Sequence, residues 1–235
     1  MTGAGTAIIT GASRGLGRAL AGALAERGWN LIVDARGADA LESAAAEFAS
    51  ATSVVALPGD VADHRHRGDL IAAAERLGDL RLVVNNASIL GPSPQPKLAD
   101  YPLEILNDVI RVNTLAPLAL IQLALPLLED DGCIINVTSD AAVEGYEGWG
   151  GYGSSKAALE QFSKILAAEH PGLRVYWVDP GDMNTQMHQD AYPGEDISDR
   201  PPPEQSVPGL LRLIEADLPS GRYRTGEVVA PGSSG

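Results

Sequence analysis

The chain has 235 residues, 45% of them hydrophobic, enough apolar side chain for the one core that α/β folds of this length often form. A formal net charge of −14 argues against nucleic acid or an anionic membrane as partner and for solubility. A lone cysteine excludes an internal disulfide, and the lack of a charged-then-apolar leader or a run of about 18 apolar residues gives the expectation of a cytoplasmic protein.

At the start of the chain, Thr6-Ala-Ile-Ile-Thr10 is a short apolar run that predicts a strand over 6–10. Gly11-Ala-Ser-Arg-Gly15-Leu-Gly17 follows, and then Leu16, Leu20, Ala23, Leu24 and Arg27 recur at helical spacing over 16–27. Strand, glycine turn and helix in this order form a cradle for a pyrophosphate. Glycines admit the turn, and the amides at the helix N-terminus favour an anion. The spacing Gly-x-x-x-Gly-x-Gly departs from the common dinucleotide fingerprint, so the turn alone leaves an ordinary tight connection open.

Further strands are predicted at 30–34, 53–57, 81–85, 133–138, 173–178 and 226–230. Helices are predicted at 38–50, 63–77, 103–128, 152–169 and 204–216. Pro117 and Pro126 interrupt the helix over 103–128, which is expected to kink or end early. Cys133 falls in an apolar run and reads as a buried strand thiol. His64, His66, His170 and His188 follow no metal-ligand spacing and read as surface residues, so no metal is expected. The least structured stretch is 182–203, which contains Pro193, Gly194, Pro201, Pro202 and Pro203. Seven strands alternating with helices demand a single-domain, doubly wound Rossmann-type fold, with a parallel sheet covered by helices on both faces. Ligands then bind beyond the carboxyl ends of the strands.

Tyr152-Gly-Ser-Ser-Lys156 places a phenol and an ammonium four residues apart, on one face if the segment is helical. A cation about 4 Å from a phenol, at an effective dielectric near 20, favours the phenolate by roughly 4 kcal/mol before desolvation opposes it. That pulls the phenol pKa down from about 10 towards neutrality and suits Tyr152 to general acid/base work. A buried aromatic beside a solvated lysine is the alternative.

These features together resemble the short-chain dehydrogenase/reductase family over nearly the whole chain. The matching motifs are TGASRGLG at 10–17, GDV at 59–61, NNA at 85–87, Asn113 in RVNTLAP, Ser139 in INVTSDAA, YGSSK at 152–156 and PGDMNT at 180–185. The resemblance implies a catalytic set of Asn113, Ser139, Tyr152 and Lys156. In that set Ser139 donates to the substrate carbonyl and Tyr152 protonates it. Lys156 lowers the phenol pKa and meets the nicotinamide ribose, while Asn113 holds a water that links Lys156 to solvent.

It also implies that Gly11, Ser13, Arg14, Gly15, Leu16 and Gly17 cradle the pyrophosphate. Asp60 and Val61 hold the adenine, and Asn86 and Ala87 wall the adenosine ribose. Pro180, Gly181 and Thr185 close over the nicotinamide, where Tyr152 and Lys156 also bind. Ser88 stands where the family's usual glycine follows NNA, which puts close backbone approach there in doubt. The family's acidic, NAD-selecting position falls on Ala35, followed by Arg36. With Arg14 in the glycine turn, two guanidiniums are available for a 2′-phosphate, and NADP(H) is favoured. Asp34 lies one residue early and faces the other way, but a one-residue slip restores NAD(H).

The implied activity is reversible interconversion of a small or medium carbonyl compound and its alcohol. A non-catalytic NADP(H)-sensing regulator and an isomerase or lyase on the same scaffold are the alternatives. By resemblance residues 182–203 form a lid over the substrate, against a plain surface excursion. Tyr146, Trp149, Met183, Met187, His188 and Tyr192 either line a partly aromatic pocket or pack that lid. Family members pair long helices and C-terminal strands, which implies a homo-oligomer, a dimer before a tetramer. Thr225-Gly226 resembles the start of the final strand, while the ending Pro231-Gly-Ser-Ser-Gly235 departs from the family's.

Overall fold

Seven strands, β1 (Thr6–Ile9), β2 (Asn30–Ala35), β3 (Val54–Pro58), β4 (Leu80–Asn85), β5 (Leu128–Val137), β6 (Arg174–Asp179) and β7 (Gly221–Arg224), pair in parallel in a computed structural model that describes residues 5–228. Their order is β3-β2-β1-β4-β5-β6-β7. The helices between them are α1 (Gly15–Ala25), α2 (Ala38–Phe48), α3 (His64–Leu77), α4 (Leu103–Ile110), α5 (Ala116–Ala124), α6 (Gly150–Glu169), α7 (Gln186–Ala191) and α8 (Val207–Glu215). A last turn, α9 (Thr225–Val228), follows β7. The expected doubly wound sheet is therefore present.

Strand alternation divides the core into two layers. Ala7, Ile9, Leu31, Val33, Leu82 and Val84 face α1, α2 and α8, where Leu20, Leu41 and Leu210 meet them. The alternate residues Ile8, Ile32 and Val83 face α3 and α5 through Leu70, Ala73 and Leu120. Burying each of these large aliphatic side chains contributes about 1.5 to 3 kcal/mol. Helix ends obey local chemistry as well. Asp63 caps α3 by accepting from the Arg65 amide at 2.9 Å, and Gly78 ends the helix at φ 70°.

Four expectations need correction. The helix expected over 103–128 ends early, at Ala124, as anticipated, but is divided into α4, a π-helical turn Arg111–Leu115 and α5. Pro117 lies in the first turn of α5, where a missing N–H is harmless, so the irregularity precedes it. The final strand is not 226–230. It lies at Gly221–Arg224, residues 225–228 turn helically, and 229–230 with the Pro231–Gly235 ending fall outside the described residues. The stretch 182–203 contains α7, capped by the Thr185 hydroxyl. His66 is buried rather than on the surface, and His188 is nearly so.

The strand order reverses between β1 and β4, and there the carboxyl ends open onto a cleft of about 2160 Å³. Cys133 is fully buried in β5, and burial pushes its thiol up to about 12. No helix among the described residues is long and apolar enough to cross a membrane.

Candidate active site

Every cofactor or catalytic position expected from the sequence lines this one cleft except Gly17 and Asn113. At one end the chain leaves β1, turns through Gly11 at φ 69° and enters α1. A Cβ at Gly11 would press on the Ala87 backbone, and one at Gly17 would collide with Asn86 and the Gly11 carbonyl, so only glycine permits this close packing. Gly17 therefore acts by packing the turn and not by lining the cleft.

The N-cap of α1, Arg14, makes no side-chain cap, and no acidic residue occupies the first turn. The opening amides of α1 thus lack a capping partner where Gly15 and Leu16 face the cleft. Such a helix end fits a pyrophosphate. The turn is braced from behind. Asn86 Nδ2 donates to the carbonyls of Thr10 and Gly11 at 2.9 and 3.1 Å, and Thr10 Oγ1 accepts from the amides of Asn86 and Ala87 at 3.0 Å. The amide group of Asn86 is committed to this brace.

Ala35 and the exposed Arg36 sit at the end of β2 and line the same cleft as Arg14. Asp34 does not slip into the ribose position. Its carboxylate is almost fully buried on the α3 side, accepts from the Gly11 amide at 2.8 Å and lies 3.0 Å from His66 Nε2. Asp60 Oδ1 accepts from the Ala62 amide at 2.9 Å, an Asx turn that shapes the loop in front of Val61.

At the other end, α6 carries Tyr152 and Lys156 on one face, both buried. Lys156 Nζ donates to the Val137 carbonyl at 2.8 Å and stands 5.4 Å from the centre of the Tyr152 ring. The electrostatics run against the sequence expectation. Burial raises the phenol well above its ordinary value, the Ser88 hydroxyl opposes this, and the carboxylates of Asp179 and Asp140 add to it. Burial also lowers Lys156 to about 7. Desolvation of both groups outweighs the ion–phenol attraction estimated from spacing.

Ser139 ends β5 and faces the cleft, but its hydroxyl donates to the Asp140 carboxylate at 2.9 Å and accepts from the Ala141 amide at 3.2 Å. A substrate oxygen has to compete with that carboxylate. Asn113 is fully buried in the π-helical turn, where its side chain exchanges two hydrogen bonds of 2.8 Å with the Ile89 backbone and donates to Ser155 Oγ at 3.0 Å. Both Nδ2 hydrogens of the side chain are thus engaged within the protein. Ser88 replaces the family's glycine without crowding the strand end, and its buried hydroxyl lacks a well-formed partner beside the phenol. The Thr185 hydroxyl accepts from the His188 amide at 3.3 Å as a helix cap, opposite Gly15 across the cleft.

Three residues that support the site escaped the sequence reading. Asp179, just before Pro180, accepts from the Gly181 amide at 3.0 Å and from Arg222 and Arg224. Glu160, one helical turn beyond Lys156, is buried and accepts from Thr138 Oγ1 at 2.9 Å and Arg222 Nε at 3.0 Å. Arg222 also donates to the Ser139 carbonyl at 3.2 Å. A charged residue in a helix otherwise rich in small and apolar residues was the available signal for Glu160. Aromatic side chains gather beside Tyr152. Trp149 lies edge-on to Tyr152 at 5.8 Å and near Tyr192 at 6.0 Å, with Leu90 and Met187 packed beside them.

The family model described as short chain dehydrogenase matches residues 5–196. Serine 3-dehydrogenase of Rhizobium radiobacter is 35% identical over 188 residues, which span 78% of this chain and 74% of that protein. A solved short chain dehydrogenase from Shigella flexneri superposes with a TM-score of 0.84 at 28% identity, covering 99% of this chain and 95% of that one. An alcohol dehydrogenase from the archaeon Thermococcus sibiricus, complexed with 5-hydroxy-NADP, gives 0.84 at 28% identity, covering 94% and 95%.

Proposed function

This chain belongs to the short chain dehydrogenase family of oxidoreductases, and on that premise we propose that it interconverts a small or medium carbonyl compound and its alcohol with NADP(H), Tyr152 serving as the acid and base. One observation carries the proposal. A buried phenol and a buried amine, one helical turn apart, wall a cleft whose far end is a glycine turn with uncapped amides. The nicotinamide, when bound, gives or takes the hydride.

The residues of the chain supply the rest. Gly15 and Leu16 present amides to the pyrophosphate, and Arg14 and Arg36 present guanidiniums to a 2′-phosphate. Pro180, Gly181 and Thr185 flank the nicotinamide end, fixed by the bond between Asp179 and the Gly181 amide. In reduction Tyr152 holds the proton that goes to the nascent alkoxide, and its raised pKa keeps the phenol protonated at neutral pH. Lys156, lowered to about 7, exchanges protons at neutral pH and offers positive charge to the phenolate left behind. Ser139 donates to the same substrate oxygen once it leaves Asp140.

The proposal takes the chain as one nucleotide-binding and catalytic unit with residues 182–203 as its lid. Met187 and Tyr192 of that stretch pack towards Trp149 and Tyr152, which supports a cover over the substrate. Leu103, Leu115, Leu123 and Ile165, exposed along α4 to α6, support a homo-oligomer. The test is steady-state consumption of NADPH across a panel of aldehydes and ketones, with and without Tyr152→Phe. Turnover that the substitution abolishes supports the proposal. A wild-type protein that binds NADPH and consumes none with any carbonyl overturns it in favour of a regulator, and conversion of substrate without net consumption overturns it in favour of an isomerase.

A further inference from the structure

The pair formed by Asp34 and His66 takes no part in proton transfer, yet it joins three segments of the nucleotide end: the glycine turn, the end of β2 and the start of α3. Asp34 Oδ1 accepts from the Gly11 amide at 2.8 Å, and its carbonyl accepts from the Ala12 amide at 2.9 Å. Oδ2 lies 3.0 Å from His66 Nε2, and both side chains are almost fully buried. His66 in turn packs over Gly59, where a Cβ would collide with the ring, directly before Asp60 and Val61. Asp34, Gly59 and Arg36 all line the cleft.

A hydrogen-bond acceptor for the Gly11 amide needs no charge. Asparagine, serine or threonine would serve, so the charge of Asp34 is surplus to the brace. That surplus stands two residues from Arg36, at the end of the cleft where a 2′-phosphate would sit, and a bare carboxylate there opposes a phosphate. We propose that His66 determines cofactor specificity: its imidazolium neutralises the Asp34 carboxylate and so permits the phosphorylated cofactor at a strand end that otherwise carries an NAD-type charge. This rests on the NADP(H) reading given above.

The groups that face His66 all favour its charged form. Its hydrogen bond to Asp34 raises its pKa most, burial opposes, and Asp34 on β2, Asp69 on α3 and Asp60 on the loop before α3 add to the rise. Compensation of Asp34 is therefore complete at low pH and fades as pH rises through the raised His66 pKa.

The test is fluorescence titration of NADPH and NADH against the full chain, without turnover, for wild type, His66→Gln and the double variant Asp34→Asn/His66→Gln, at several values between about pH 7 and pH 9. The 2′-phosphate, with a pKa near 6, is already ionised in that range. Lys156 titrates there, but at the nicotinamide end common to both cofactors, so it cancels in the ratio of the two affinities. Expected results are a tenfold or greater loss of NADPH affinity in His66→Gln with NADH within threefold of wild type. NADPH affinity returns to within threefold in the double variant. The wild-type preference for NADPH falls as pH rises, and the double variant's stays level. Should His66→Gln fail to fold, the double variant and the wild-type pH series decide. A wild-type preference for NADPH that is flat with pH, or equal losses for both cofactors in His66→Gln, overturns the role of His66 and leaves the cofactor reading standing. A wild-type preference for NADH overturns both.

Discussion

The Ser139 hydroxyl is hydrogen-bonded to the Asp140 carboxylate at 2.9 Å. The hydroxyl hydrogen expected to stabilise a substrate oxygen is therefore donated to a neighbouring anion, which also helps to raise the Tyr152 pKa. Asp140→Asn keeps an acceptor oxygen for the Ala141 amide, turns an amide N–H towards the Tyr146 hydroxyl, which then accepts, and removes the charge. A hydrogen bond to a charged group exceeds a neutral one by about 0.5 to 1.5 kcal/mol, so kcat/KM for carbonyl reduction should rise roughly two- to tenfold. A tenfold fall instead would mean that Asp140 itself holds the substrate.

The direction of the Tyr152 shift sets the pH profile. Burial keeps the phenol protonated through the neutral range, the state that reduction needs and oxidation does not. With the cofactor in excess, kcat/KM for alcohol oxidation should climb across about pH 7 to pH 10, while reduction, which draws on the Lys156 charge, should fall as pH rises through about 7. A plateau in the oxidation profile near neutrality would show that the bound cofactor brings the phenol pKa down. Tyr152→Phe should remove at least about a hundredfold of either rate and leave NADPH affinity within a factor of a few.

Arg36 is exposed at the end of β2, with no ion-pair partner among the described residues to compete for a phosphate. Arg36→Ala should weaken NADPH by tenfold or more, about 1.4 kcal/mol, with little change in NADH, as read by the same fluorescence titration. Equal losses would move the phosphate contact away from this strand.

What the sequence made legible was local. The short apolar runs of β1, β2 and β4 and the four-residue spacing of Tyr152 and Lys156 depend on neighbours within one turn or one strand, and the structure has them where the pattern put them. What stayed hidden depends on distant partners. β7 reads Gly-Arg-Tyr-Arg, too polar for a strand until Asp179 and Glu160, 43 and 62 residues from Arg222, come to meet it. A window of a few residues therefore favoured the apolar stretch after it. Asp34 and His66 lie 32 apart and looked like a misplaced selector and a surface histidine. The π-helical turn at Asn113 leaves no mark in periodicity short of one extra residue, and Pro117 drew attention to the wrong side of it. The Tyr152 shift was misjudged because spacing reveals the nearby cation and says nothing of burial.

The same distant network yields a stability prediction. Among the described residues Arg222 is the one cation bonded to both buried carboxylates, Glu160 at 3.0 Å and Asp179 at 3.4 Å, and it holds the Ser139 carbonyl as well. Arg222→Met leaves Asp179 with Arg224, but strands Glu160 with only the Thr138 hydroxyl among the described residues. Removing one partner of a buried pair costs about 3 to 5 kcal/mol, and the partial exposure of Arg222 places the expected loss at the lower end. Urea denaturation should show it as a fall in midpoint at unchanged slope. Adding Glu160→Gln removes the stranded charge and should recover at least half of the loss, because the penalty lies in the unpaired anion rather than in the missing contact. If the double variant is no more stable than Arg222→Met alone, Arg222 contributes through packing and through Ser139, and Glu160 is paired by something other than charge.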